Sequence, residues 1–260
     1  MNYGLEKKIA LITGGSHGIG LATAIELGRQ GCKVAICSRT QDRLNKAKEI
    51  LINEKIDCLT IPFDAFIKTD PKKVVSYIQE SWGTIDILVN NVGGGGRWGK
   101  EIVEETELNV WDEVMQKNAL NAAYFTSLCI PLMRKKKWGR VINITSIYGK
   151  EGGGRPWFCM AKAAEAAMMT SLSRIKHLVR DGITFNSVAP GYVYIDNTGF
   201  EDEKKNNLSE FNKKIDLNLP LGRLGSPEEI ASVVCFLSSN KASLINGEQI
   251  SVDGGQSSSI

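Results

Sequence analysis

Histidine, proline and paired cysteines are scarce in this 260-residue chain, and each scarcity closes off a class of protein. Two histidines, His17 and His177, give a zinc centre little to work with, and no metal site is expected. Seven prolines without a G-x-y period exclude a collagen-like fibre and a proline-rich linker. The six cysteines, at 32, 37, 58, 129, 159 and 235, form no C-x-x-C pair and lie mostly in apolar segments. That usage reads as reduced thiols rather than a disulfide frame. No run of about 18 apolar residues occurs, so no membrane span is expected. The opening MNYGLEKKIALITGG enters a strand without an apolar signal segment, which makes the cytoplasm the expected compartment. Neither sign of charge dominates, with 32 basic against 29 acidic residues. The one basic run, Arg134 to Lys137, reads as a solvated helix end, and no nucleic-acid partner is indicated.

What the chain does hold is a 42% hydrophobic complement, enough for a large core, and 26 glycines. Length and uniform composition point to one domain over residues 1–260. Short apolar runs alternate with amphipathic stretches, the βαβ pattern of a parallel sheet covered on both faces. Strands are expected near 8–13, 33–38, 57–61, 85–90, 140–145, 183–188 and 248–252. Between them, Leu44, Ala47, Ile50 and Leu51 are expected to share a helix face, Asp70 to cap a helix with Pro71 in its first turn, and Ser226 to Glu229 to form a capping box. Residues 192–220 show no clear period and are rich in Lys, Asn and Glu, as expected of a lid over a substrate site.

The first strand, KKIALIT, runs into Gly14-Gly15-Ser16-His17-Gly18-Ile19-Gly20 and then a helical stretch. Small residues in a strand-to-helix turn bring backbone N–H groups to a pyrophosphate. Further motifs follow in order: Asp64, Asn90-Asn91-Val92-Gly93, Asn118, Ser146, Lys162, Pro190-Gly191 and Val252-Asp253-Gly254-Gly255. Together they resemble the short-chain dehydrogenase/reductase family over essentially the whole chain. The resemblance implies an α/β, doubly wound Rossmann-type sheet of seven parallel strands in the order 3-2-1-4-5-6-7, forming one dinucleotide-binding domain. It also implies a small-molecule carbonyl or alcohol substrate, and a homodimer or homotetramer paired through helices near 106–135 and 157–180.

Cofactor choice turns on the end of strand two, where an acidic residue would hold the adenosine ribose and repel a 2′-phosphate. Cys37-Ser38-Arg39-Thr40 stands there instead, which favours NADP(H) over NAD(H), and His17 lies where NADP-preferring relatives often carry a basic residue. The resemblance adds Asp64 at the adenine, Asn90 steadying the central strand, Gly93 beside the adenosine ribose, and Pro190, Gly191 and Val193 near the nicotinamide. The family's carboxamide-binding Thr has no counterpart: Ile195 stands near its place, leaving Val193 backbone or Thr198 to serve.

Carbonyl reduction needs a hydride and a proton donor for the developing alkoxide. The resemblance assigns Ser146 to the substrate oxygen, Lys162 to the nicotinamide ribose and a positive field, and Asn118 to a relay water. The family's tyrosine, four residues before Lys162, is replaced by Phe158, which has no proton to give. Three readings stay open: an inactivated Tyr→Phe variant, a reductase using Tyr148, Tyr194, Lys162 or water as donor, and an NADP(H)-binding scaffold or sensor without turnover. Two glycine-rich insertions each pair Arg with Trp, at Arg97-Trp98 and Arg155-Trp157. They suit either an anionic substrate or plain loop packing.

Overall fold

The computed structural model describes residues 2–196 and 198–259. Seven strands, β1 Ile9–Thr13, β2 Lys33–Ser38, β3 Cys58–Pro62, β4 Ile87–Asn90, β5 Gly139–Ile144, β6 Ile183–Pro190 and β7 Gln249–Val252, form one sheet in the order β3-β2-β1-β4-β5-β6-β7. Every pairing is parallel, with Ala10 of β1 registered on Val34 of β2 and on Ile87 of β4. Strand β1, IALIT, is buried at all five positions, as a strand covered on both faces must be. Its side chains alternate between two cores: Ala10 and Ile12 face one, Ile9 and Leu11 the other.

Ten helices of the described residues complete the chain: α1 Gly18–Arg29, α2 Gln41–Asn53, α3 Asp70–Trp82, α4 Leu108–Met115, α5 Asn121–Lys136, α6 Pro156–Leu172, α7 Lys176–Val179, α8 Gly199–Asn206, α9 Leu208–Asn218 and α10 Pro227–Ser238. Helices α1, α2 and α10 supply one core, and α3, α5 and α6 the other. A π-turn over Gln116–Leu120 joins α4 to α5. The capping box is present at α10, where Ser226 Oγ accepts from Glu229 N and Glu229 Oε2 accepts from Ser226 N. The basic run ends α5, although two of its cations, Arg134 and Lys137, pair with Asp181 rather than standing fully solvated.

Three local expectations need correcting. Leu44, Ala47 and Leu51 are buried in α2, but Ile50 is 41% exposed, because it lies about 100° around the helix from Leu51. Asp70 is the first residue of α3, with Thr69 at the cap position; its carboxylate instead accepts from Asp64 N and the Lys73 ammonium. The stretch 192–220, Asn197 lying outside the described residues, holds α8 and α9 rather than an aperiodic loop. Phe211, Ile215 and Leu219 recur every four residues and are buried against Tyr192, Phe200 and Leu224. Among the described residues no helix is long and apolar enough to cross a membrane.

Candidate active site

A cavity of about 590 Å³ opens at the C-terminal ends of the strands, where the chain leaves the neighbouring strands β1 and β4 for opposite halves of the sheet. Its floor is built from hydrogen-bonded loops. Thr13 Oγ1, at the end of β1, accepts from Asn91 N and Val92 N, both at 3.0 Å. Asn91 Nδ2 returns bonds to Thr13 O and Gly14 O. The glycine turn and the loop after β4 are thereby one unit. Gly14 and Gly18 have φ of +66° and +55°, in the left-handed region that favours glycine. A Cβ on Gly20 would lie 2.5 Å from Gly14 O, so no larger residue fits beneath the turn. His17 precedes α1 without making a side-chain cap, which leaves the first-turn N–H groups available to an anion.

Around the adenosine end the wall carries His17, Ser38, Arg39, Thr40, Arg43 and Asp64. Ser38 Oγ is buried there without a hydrogen-bond partner, an orphan that a phosphate oxygen would satisfy. Arg43 was not singled out in the sequence; its place in the first turn of α2, the helix that begins two residues after Arg39, is the signal that could have found it. Burial, and then Arg43, hold the His17 pKa below its ordinary value. Asp64 Oδ1 accepts from Phe66 N, so this carboxylate also shapes its own turn.

At the other end stand Gly93, Ser146, Phe158, Lys162, Pro190, Gly191, Val193 and Ile195. Ser146 Oγ accepts from Tyr148 N at 3.2 Å, which fixes the hydroxyl at the end of β5. Lys162, 4% exposed, donates through Nζ to Ile144 O and to Glu165 Oε2, each at 2.9 Å. The Phe158 ring centroid is 5.8 Å from that ammonium. Val193 forms a parallel bridge with Gly225 whose bonds use Tyr192 O, Gly225 and Tyr194 N, sparing the Val193 amide and carbonyl.

Three expected site residues do not reach the cavity wall: Gly20, Asn90 and Asn118. Gly20 lies under the turn. Asn90 is buried behind β4, where Nδ2 donates to Asn143 Oδ1 and Thr126 Oγ1. Asn118 is fully buried in the π-turn; Nδ2 donates to Gly94 O and Val114 O, and Oδ1 accepts from Gly94 N. Both amide hydrogens are spent on the main chain, so this side chain clamps the glycine loop.

Two of the suggested replacement donors, Tyr148 and Tyr194, fall away. Tyr148 and Tyr192 bond to each other through their hydroxyls at 2.9 Å, and neither lines the cavity. Burial and that partner push the Tyr148 pKa up. Tyr194 is off the wall too, under Lys204. Thr198 Oγ1 donates to Ile195 O and does not line the cavity. Of the insertion residues, Arg97 pairs with Glu203, and Arg155 bonds Lys100 O; Trp157 is buried edge-on to Trp111. Only Trp98 reaches the wall.

Lys117 was missed in the sequence. It lines the cavity, with Nζ 4.5 Å over the Trp98 ring and no hydrogen bond or ion pair to any described residue. Burial, then Arg39 and Lys162, lower its pKa. Its only advance signal was its place immediately before Asn118. Among the described residues no cluster could hold a metal ion.

An anion-ready glycine turn, a phosphate-sized basic corner and a serine–lysine pair on one parallel sheet define an NAD(P)-dependent oxidoreductase of Rossmann type. A family model described as enoyl-(acyl carrier protein) reductase matches residues 14–257. The chain is 34% identical over 253 residues to 3-oxoacyl-[acyl-carrier-protein] reductase FabG of Haemophilus influenzae, covering 96% of this chain and 98% of that one. Its structure is similar to L-sorbose reductase from Gluconobacter frateurii, complexed with NADPH and L-sorbose, at TM-score 0.91, 27% identity and 100% of both chains. An actinorhodin polyketide ketoreductase with NADPH matches at TM-score 0.88 and 27% identity, over 96% of this chain and 97% of that one. The chain belongs to the short-chain dehydrogenase/reductase family.

Proposed function

We propose that this protein is an NADP(H)-dependent oxidoreductase, interconverting a carbonyl and a secondary alcohol on a small molecule. One observation carries the reading: a single cavity joins Arg39 and an unpartnered Ser38 hydroxyl to Ser146 and Lys162. Ser38, Arg39 and Arg43 would hold the 2′-phosphate, and Ser16, His17, Gly18 and Ile19 the diphosphate. Lys162 and the Val193 main chain would hold the nicotinamide riboside. When bound, NADPH supplies the hydride. Ser146 Oγ donates to the carbonyl oxygen and polarises it. Because Phe158 has no hydroxyl and Lys162 is engaged, the proton comes from Lys117 Nζ, the cavity lysine without an ionic partner. Burial and the neighbouring cations move its pKa in the direction that role requires. Phe158 by itself favours the rival reading, cofactor binding without turnover.

Exposed Ala163 and Ala167 on α6 suit close helix contact in a homodimer or homotetramer, and a cytoplasmic location fits the reduced cysteines. The test is NADPH oxidation, followed by nicotinamide absorbance, against aldehydes, ketoses and 3-oxoacyl thioesters, with binding followed by NADPH fluorescence. Turnover is expected, with Lys117→Met lowering it about 10²–10⁴-fold while NADPH affinity changes little. Tight NADPH binding with no oxidation of any carbonyl overturns the reading and leaves the binding role standing.

A further inference from the structure

Glu165 is the one buried titratable group at the chemical end without an assigned task. It lies three residues after Lys162 on α6, on the face turned to the sheet, where the pattern of the helix calls for an apolar side chain. It is 2% exposed, and Oε2 accepts from Lys162 Nζ at 2.9 Å. Its main-chain carbonyl is bonded by Asn143 Nδ2 from β5, so the backbone that carries the carboxylate is fixed to the sheet. Of the three hydrogens on Lys162 Nζ, two are committed, to Ile144 O and to Glu165. One is left for the cavity.

We propose that Glu165 is a positioning residue that neutralises Lys162, so that position 158 faces an ion pair instead of an uncompensated cation. The Phe158 ring is 5.8 Å from the ammonium, twice the length of the ion pair itself. At such a distance, and at the alkaline pH where a phenol titrates and Glu165 is ionised, opposite charges so close together act as a dipole, and much of the field of the lysine is cancelled. Lys162 then anchors ribose hydroxyls through its remaining hydrogen but is a poor activator of any phenol placed above it. Phe158 and Glu165 therefore act in the same sense: one removes the acid, the other offsets the charge that would tune it. The inference rests on the oxidoreductase reading for its catalytic meaning, whereas its electrostatic content is measurable without substrate.

The experiment restores the phenol in two backgrounds. Phe158→Tyr is compared with Phe158→Tyr/Glu165→Gln, and the new phenol is titrated by ultraviolet difference absorbance of tyrosinate, each against its parent lacking that phenol. Gln keeps an acceptor for Lys162 and removes the charge. The new phenol is expected to ionise at least about one pH unit lower with Gln at position 165, a tenfold gain in tyrosinate at a given pH below both midpoints. A third background, Phe158→Tyr/Lys162→Met, checks the pairing: there the Glu165→Gln shift should shrink below half, since a buried carboxylate that has lost its ammonium takes up a proton and leaves little charge for Gln to remove. Coincident midpoints with and without Glu165 overturn the proposal, as does an undiminished shift without Lys162. The readout needs no turnover, so inactivity towards every carbonyl would sink the functional reading and leave this inference standing.

Discussion

The two ends of the cavity are built from different materials. At the adenosine and diphosphate end, the working groups are main-chain N–H groups at the start of α1 and a turn whose glycines leave no room for anything larger. At the chemical end they are side chains: Ser146, Lys162, Glu165 and the ring of Phe158. Backbone function is written into a spacing and survives most substitutions around it. Side-chain function is held at single positions, where one missing oxygen or one added carboxylate changes the chemistry while the fold stays intact. Family resemblance is correspondingly dependable at the first end and incomplete at the second.

The sharpest way to break the comparison is to insert one methyl group at the backbone end. A Cβ on Gly20 would meet Gly14 O and Asn91 Nδ2, each at 2.5 Å, and neither the carbonyl nor the twice-bonded amide can step aside without moving the turn. Gly20→Ala should weaken NADPH binding by about 10³-fold, as expected if two or three charge-assisted N–H bonds are lost. Fluorescence titration checks it; unchanged affinity would mean the turn does not hold the cofactor. A side-chain contribution at the same end gives a smaller and more selective effect. Arg39→Ala should cost about 10²-fold in NADPH affinity, the scale of one hydrogen-bonded charge, and only a few-fold for NADH. Equal losses for both cofactors would remove Arg39 from the 2′-phosphate.

The same division governs what could be read in advance. The central strands follow from their apolar runs, because burial on both faces of a parallel sheet leaves a strong pattern, whereas the strand order comes from the family resemblance alone. Gly14, Ser16, His17, Gly18, Arg39, Ser146 and Lys162 do meet in one cavity. Lys117 and Glu165 escaped because a charge inside a helix is ordinarily solvent-facing, and only the three-dimensional neighbourhood turns one towards a cavity and the other towards an ammonium. Asn118 was legible as a motif residue but not as a clamp, since its partners, Gly94 and Val114, are main-chain groups that carry no side-chain signature. Helix α9 was hidden by its polar surroundings, although Phe211, Ile215 and Leu219 already carried the period.

The smallest effect concerns proton accounting at the chemical end. Burial pushes the Glu165 pKa from 4.5 up to about 7, against the pull of Lys162. An acid with a raised folded-state pKa binds more protons folded than unfolded between those values. Its contribution to stability is full below the unfolded pKa and is lost as pH rises through the folded one. Glu165→Gln removes that titration and leaves every other carboxylate in place. The stability of the wild type relative to Glu165→Gln should therefore fall by on the order of 2 kcal/mol between about pH 4.5 and about pH 7.5, and stay flat above. Urea unfolding of both proteins across that range measures it. A difference that rose with pH would mean the carboxylate is held below its ordinary pKa by the lysine, so that attraction within the pair outweighs burial. That outcome would make the chemical end, like the diphosphate end, a place where charge is satisfied in advance.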